Sequence, residues 1–425
     1  MPDQPFSADG PLPEGVRDLL FADAAAWRGI ESALRETWTA WGYREIILPT
    51  FEYAATLATD VGAEIDAEMY RFSDRHGRTL ALRPDMTIPT ARVVATRLFD
   101  QAMPLRLSYV GSVYRYEPPR AGRQHEFTQA GIELIGAPGS AADAEVVGLA
   151  VAALRAANVP QFRITIGHVG FFNGLVTALA LPDRLAARLR EAVDRKSEAE
   201  IAALISQASG LPSIARNATM ALLRLSGPAG ILKEAEGFCL NAAMLAAIVE
   251  LQSLAELLAA YGVADAVSYD LAEVRDLGYY TGITFEGFAP GLGFPLVSGG
   301  RYDNLIGHFG PPKPAVGWAL TVDRVILARE LQGITHAEPP PDVLLSARGC
   351  PGCMSWAAAA RGRGLRVEVD LLDLAAGDLW SAAKARGIPR AVLHHNPERL
   401  TVRDAGGESE IAPDDWEEVE RWPSR

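Results

Sequence analysis

The chain has 425 residues, enough for two or three domains of roughly one to two hundred residues each, which excludes a peptide hormone or a disulfide-stapled mini-scaffold. Its 49% hydrophobic and 22% charged residues, with 28 prolines, are those of a globular protein and exclude wholesale disorder or a fibrous repeat. Forty Lys and Arg against 53 Asp and Glu leave a net charge of −13, so tight non-specific nucleic-acid binding is disfavoured. Three cysteines, Cys239, Cys350 and Cys353, are too few for a disulfide framework and point to a reducing, cytoplasmic compartment. The start MPDQPFSADG has neither a basic n-region nor an apolar h-region, and the best apolar run, Val146 to Leu154, stops at Arg155, so no membrane association is expected.

In chain order, Phe21 to Gly42 carries apolar residues at helical spacing and ends on glycine, which predicts an amphipathic helix. A mixed region follows, then strands at Thr79 to Arg83, Leu105 to Glu117 and His125 to Gly136; the last two alternate apolar and polar residues across a Pro/Gly loop, as a long antiparallel hairpin would. Ala141 to Ala157 reads as a helix and Phe162 to Gly167 as a strand. From about 182 to 261 short Ala/Leu-rich helical blocks replace strands, the pattern of an inserted helical subdomain. Strands return at Val267 to Asp270, Tyr280 to Phe288 and Leu296 to Ser298, and a helix starts near Val322. The proline-rich stretch His336 to Asp342 separates a core, 1–335, from a small α/β module, 342–425. The fold class expected is α+β.

Charged and amide residues inside strands carry the chemistry. Gln129 and Glu133 lie four apart on one strand face; Arg115, Glu117 and Arg123 bracket the hairpin loop; Arg275, Tyr279 and Tyr280 open another strand; Arg83 and Asp85 precede a helix. Such a set satisfies a small zwitterion, with carboxylates taking ammonium protons, a guanidinium forking a carboxylate, and Glu or Tyr bonding an imidazole. An internal ion-pair network under a sheet reads from the same spacing. Cys350-Pro-Gly-Cys353 lacks the second Cys/His pair a zinc site needs and reads as a structural turn, and no metal or cofactor is expected.

LPEGVRDLL (Leu12 to Leu20), LRPDMT (Leu82 to Thr87), YRYEPPRAGRQHEFTQAGIEL (Tyr114 to Leu134), VRDLGYYTGITFE (Val274 to Glu286), SGGRYDNL (Ser298 to Leu305) and AVGWALTVDRV (Ala315 to Val325) stand in order over about the first 330 residues, and together they resemble the class II histidyl-tRNA synthetase core. The resemblance implies an antiparallel sheet with a histidine pocket: Asp85, Thr87 and Gln129 toward the α-ammonium, Glu133, Tyr279 and Tyr280 toward the imidazole, Arg275 toward the carboxylate. Arg115 borders both the histidine set and, with Glu117, Arg123 and Arg324, the positions synthetases use for ATP. The chain departs from the synthetase pattern at Asp85, where glutamate is usual, at Gly278, where aspartate is usual, and in motif 3, where Thr321 replaces the second glycine and Asp323 the glutamate. RPDMT and these changes are similar to the regulatory paralogs of the family, the ATP phosphoribosyltransferase regulatory subunits. That resemblance implies a non-catalytic histidine sensor, a homodimer within a hetero-oligomer with a short-form catalytic subunit, required for activity and for feedback inhibition. From His336 onward eleven Lys and Arg face fifteen Asp and Glu, which makes tRNA an unsuitable ligand for the C-terminal module, similar to a degenerate anticodon-binding domain. A divergent synthetase forming histidyl-adenylate and a ligand-free interaction module are the alternatives.

Overall fold

The computed structural model describes residues 12–58, 63–116, 124–207, 211–273, 279–335, 339–346, 351–396 and 399–422. It divides into two compact units, Met1–His336 and Ala337–Arg425.

The helix Phe21–Ala40 opens the first unit because Trp27, Ile30, Leu34 and Trp38 recur every three or four residues and are all buried. Its neighbour is a nine-stranded sheet whose spatial order is Arg44–Glu45, Leu105–Tyr114, Glu126–Ile135, Ala315–Thr321, Val297–Arg301, Ile283–Phe288, Arg163–His168, Val267–Asp270 and Ser226–Gly227. Strand pairing is parallel for Arg44–Glu45 on Leu105–Tyr114 and for Arg163–His168 on Val267–Asp270, and antiparallel elsewhere. Alternation sorts the two faces. Ala130, Ile132, Leu134, Trp318, Leu320, Ile283 and Phe285 join one core with the helices Phe21–Ala40, Ser140–Ala156, Val169–Leu179 and Ala242–Ala260. Trp318 fixes this packing, its ring 6.1 Å from that of Trp38 and its indole N–H donating to the Val146 carbonyl at 3.0 Å. Arg301, on the same side, forms a buried ion pair with Asp143 of Ser140–Ala156 at 2.7 Å.

The opposite face carries Gln129, Gly131 and Glu133, and one register row runs across it through Leu107, Glu133, Gly317, Gly300 and Thr284. The two adjacent glycines matter. A Cβ on Gly317 would strike the Ile132 carbonyl and the Glu133 carboxyl, and one on Gly300 would lie 2.5 Å from the Ile283 carbonyl and 2.8 Å from the Tyr280 ring. The mixed region of the sequence holds a three-stranded sheet, Phe51–Tyr53, Thr79–Leu82 and Arg71–Ser73, with Thr79–Leu82 central.

Among the described residues between 182 and 261 the elements are helical, except that Ser226–Gly227 forms a short edge strand on Val267–Asp270, a pairing too short for alternation to reveal. Its last helix, Ala242–Ala260, corrects the reading of Val146 to Leu154 as the best apolar run: at 19 residues it is long and apolar enough to span a bilayer by length and composition. It instead buries Met244, Ile248, Leu251, Leu254 and Leu258 in the core, and its Glu250 meets His168 at 3.0 Å.

The second unit is a five-stranded sheet in the order Val367–Asp370, Val343–Ser346, Ala391–Asn396, Arg399–Asp404, Gly407–Ile411, the first three strands parallel and the last two antiparallel. Helices Pro351–Gly362 and Ala376–Ala385 pack on it. The closing hairpin went unread in the sequence because Gly407–Ile411 is an edge strand with charged, exposed side chains.

Candidate functional site

Glu133 sits at the centre of the polar sheet face, 1% exposed. Tyr109, on the neighbouring strand, donates its phenol to one carboxyl oxygen at 3.0 Å, and Tyr302, just beyond Val297–Arg301, donates to the other. Thr87 adds a third hydroxyl contact from the first turn of the helix Thr87–Arg97. Burial is the largest influence on Glu133 and pushes its pKa up to about 7; the Tyr302, Thr87 and Tyr109 hydrogen bonds act the other way, and the negative charge of Asp85 raises it further.

Asp85 is buried at the start of the same helix, where its Oδ1 accepts the Ile88 N–H at 3.1 Å. Burial raises its pKa against the opposing charge of Arg115. Arg115 is positioned by donating Nε to the Pro84 carbonyl at 2.8 Å, with its guanidinium 5.6 Å above the Phe127 ring. Gln129 Oε1 accepts the Met86 N–H at 3.2 Å and so ties the strand Glu126–Ile135 to the segment that carries Asp85 and Thr87. The Tyr279 and Tyr280 rings lie 4.7 Å apart, tilted by 50°, and Tyr279 meets the Tyr302 ring edge-on at 6.0 Å. Burial raises the Tyr109, Tyr279 and Tyr302 phenols well above their ordinary range, so all three remain donors at neutral pH.

Asp85, Thr87, Arg115, Gln129, Glu133, Tyr279 and Tyr280 are thus gathered around one polar region of the sheet. Arg275, Glu117 and Arg123 lie outside the described residues. Tyr109 and Tyr302 were missed by sequence reasoning, although Tyr302 stands in SGGRYDNL; the pairing of Leu105–Tyr114 with Glu126–Ile135 brings the Tyr109 hydroxyl to Glu133, and the chain just beyond Val297–Arg301 brings that of Tyr302. Two buried carboxyls that repel one another make the region favourable for a ligand with positive or proton-donating groups, such as an ammonium and an imidazole.

The motif 3 residues are engaged in the fold. Asp323 accepts the Thr128 N–H at 3.1 Å and pairs with Arg17 at 3.3 Å, burial raising its pKa. Arg324 donates to the Pro295 carbonyl at 2.9 Å, its guanidinium 5.0 Å over the Phe294 ring. Thr321 closes the strand Ala315–Thr321 opposite Gln129.

This sheet with its helical insertion defines a class II synthetase-like protein, and the family model for histidyl-tRNA synthetase matches residues 15–325. ATP phosphoribosyltransferase regulatory subunits from Symbiobacterium thermophilum and Desulforamulus reducens are 44% and 39% identical, over 90% of this chain in each case and 96% and 95% of theirs. A solved structure from Bacillus halodurans, described as an ATP phosphoribosyltransferase regulatory subunit/histidyl-tRNA synthetase, is 35% identical with a TM-score of 0.80, covering 89% of this chain and 97% of that one. A histidyl-tRNA synthetase from Nostoc shares the fold at 21% identity, with a TM-score of 0.81 over 99% of this chain and all of that one. The chain belongs to the ATP phosphoribosyltransferase regulatory subunit family, built on the histidyl-tRNA synthetase core.

Proposed function

We propose that the polar sheet face binds free L-histidine and that this chain senses the amino acid on behalf of a short-form ATP phosphoribosyltransferase catalytic subunit in the cytoplasm. As a family member the chain is a non-catalytic regulatory subunit of histidine biosynthesis. The observation that carries the sensing role is Glu133, buried between Tyr109 and Tyr302 with Asp85 close enough to raise its pKa. In this reading Glu133, Tyr279 and Tyr280 meet the imidazole, Asp85, Thr87 and Gln129 the ammonium, and Arg275 with Arg115 the carboxylate.

The synthetase ATP positions Arg115, Glu117, Arg123 and Arg324 are vestigial. Support comes from Asp323 and Arg324, whose side chains are occupied by Thr128, Arg17, Pro295 and Phe294. The chain works as a homodimer within a hetero-oligomer that needs it both for activity and for feedback inhibition, and tRNA is not a ligand. Histidine shifts that assembly only by binding one state more tightly, a tenfold preference being worth about 1.4 kcal/mol. Calorimetry with L-histidine and histidine-dependent ATP–pyrophosphate exchange on the same preparation test the reading. Binding without exchange is expected; exchange would establish adenylation and overturn it.

A further inference from the structure

Among its described residues the second unit holds two buried hydrogen-bond donors with no acceptor, Arg390 Nη1 and Trp356 Nε1. Arg390 immediately precedes the strand Ala391–Asn396 and is 6% exposed; Trp356, in the helix Pro351–Gly362, is 4% exposed. Both flank one indole: the Arg390 guanidinium lies 4.9 Å over the Trp422 ring, and the Trp356 ring lies 6.4 Å from it on centroids. An arginine does not shed its proton, so the guanidinium stays charged, and a buried cation without a hydrogen-bonded anion is costly.

The carboxylates that act on Arg390 from a distance are committed elsewhere. Asp342 accepts from the Arg366 N–H at 2.8 Å and its guanidinium at 3.3 Å, and Asp404 accepts from the Gly406 N–H at 2.8 Å. Trp356 is braced on its other side by Trp416, stacked at 6.0 Å, over which the Arg363 guanidinium sits at 4.0 Å. Trp422, by contrast, is only half-buried and follows the five-residue helix Trp416–Glu420.

We propose that Arg390 and Trp356 are the two donors of an oxyanion site in the second unit, closed over by the Trp422 ring. The ligand is a small oxyanion, phosphate or carboxylate, that takes one charge-assisted hydrogen bond from the guanidinium and one from the indole when the Trp422 ring moves aside.

The test is a titration of the full chain with sodium phosphate, sodium pyrophosphate or sodium acetate at constant ionic strength, read by tryptophan emission and calorimetry, with sodium chloride as the control. A saturable response is expected, weakened at least tenfold in Arg390→Gln and several-fold in Trp356→Phe, which keeps the stacking and removes only the donor. A response to phosphate but not acetate assigns the site to phosphate groups, and the reverse assigns it to carboxylates. Circular dichroism checks folding; if Arg390→Gln unfolds the unit, Trp356→Phe decides. A response no different from chloride, or one unchanged in the folded variants, overturns the proposal.

Discussion

Burial and three hydroxyl donors act on Glu133 in opposite directions, and burial wins, leaving a carboxyl that titrates at about 7 rather than at its ordinary 4.5. Between those values the folded chain holds a proton that the unfolded chain has released, so the stability from Glu133 is full below the lower pH and is lost as pH rises through the upper one. The loss is on the order of 3 kcal/mol. Glu133→Gln should therefore flatten the urea-unfolding midpoint between pH 5 and pH 7 relative to wild type, checked by denaturation at a series of pH values; an unchanged slope would place the titration elsewhere. Asp85, also raised by burial, contributes a slope of the same sign that persists in the variant. Asp323→Ala leaves the Thr128 N–H unpaired and should cost about 1–3 kcal/mol by the same measurement. At this scale the sequence was legible where local spacing decides: Gln129 and Glu133 share a face because strands alternate, whereas the tyrosines that hold Glu133 come from other parts of the chain, and neither the Pro295 carbonyl that holds Arg324 nor the Thr128 amide that holds Asp323 is signalled by any motif.

The elements place the pocket through close backbone approach. Gly317 stands directly opposite Glu133, and a methyl group there would strike both the Ile132 carbonyl and the carboxyl. Gly317→Ala should destabilise the first unit by about 1–3 kcal/mol and abolish histidine binding, checked by thermal unfolding and calorimetry. On the other face, the buried Arg301–Asp143 pair joins the sheet to the helix Ser140–Ala156, and Asp143→Asn should cost about 1–3 kcal/mol, because it removes the buried counter-charge while Asp303 at 3.1 Å and the Gly139 carbonyl still hold the guanidinium. The hairpin Leu105–Tyr114 with Glu126–Ile135 was readable from alternation because one face is apolar. Ser226–Gly227 and Gly407–Ile411 were not, since a two-residue bridge and an exposed edge strand have no apolar face to reveal. The helix Ala242–Ala260 is so uniformly apolar that periodicity marks only a helix, not its place; contacts with the first unit's helices supply that.

The whole molecule joins a synthetase-type core to a second unit in which acids outnumber bases, under a net charge of −13. Motif order carried the family because six separated segments stand in one order along the chain, a constraint that chance resemblance does not meet. Charge and departures at Thr321 and Asp323 carried the distinction between regulatory subunit and synthetase, while the buried donors Arg390 and Trp356 emerge only when three tryptophans fold together. The most direct measurement is histidine inhibition of ATP phosphoribosyltransferase activity in a complex reconstituted from the catalytic subunit and either wild-type chain or Glu133→Gln. The account predicts that both complexes are active and that the variant needs at least tenfold more histidine for half-inhibition. Equal inhibition of the two complexes would contradict it.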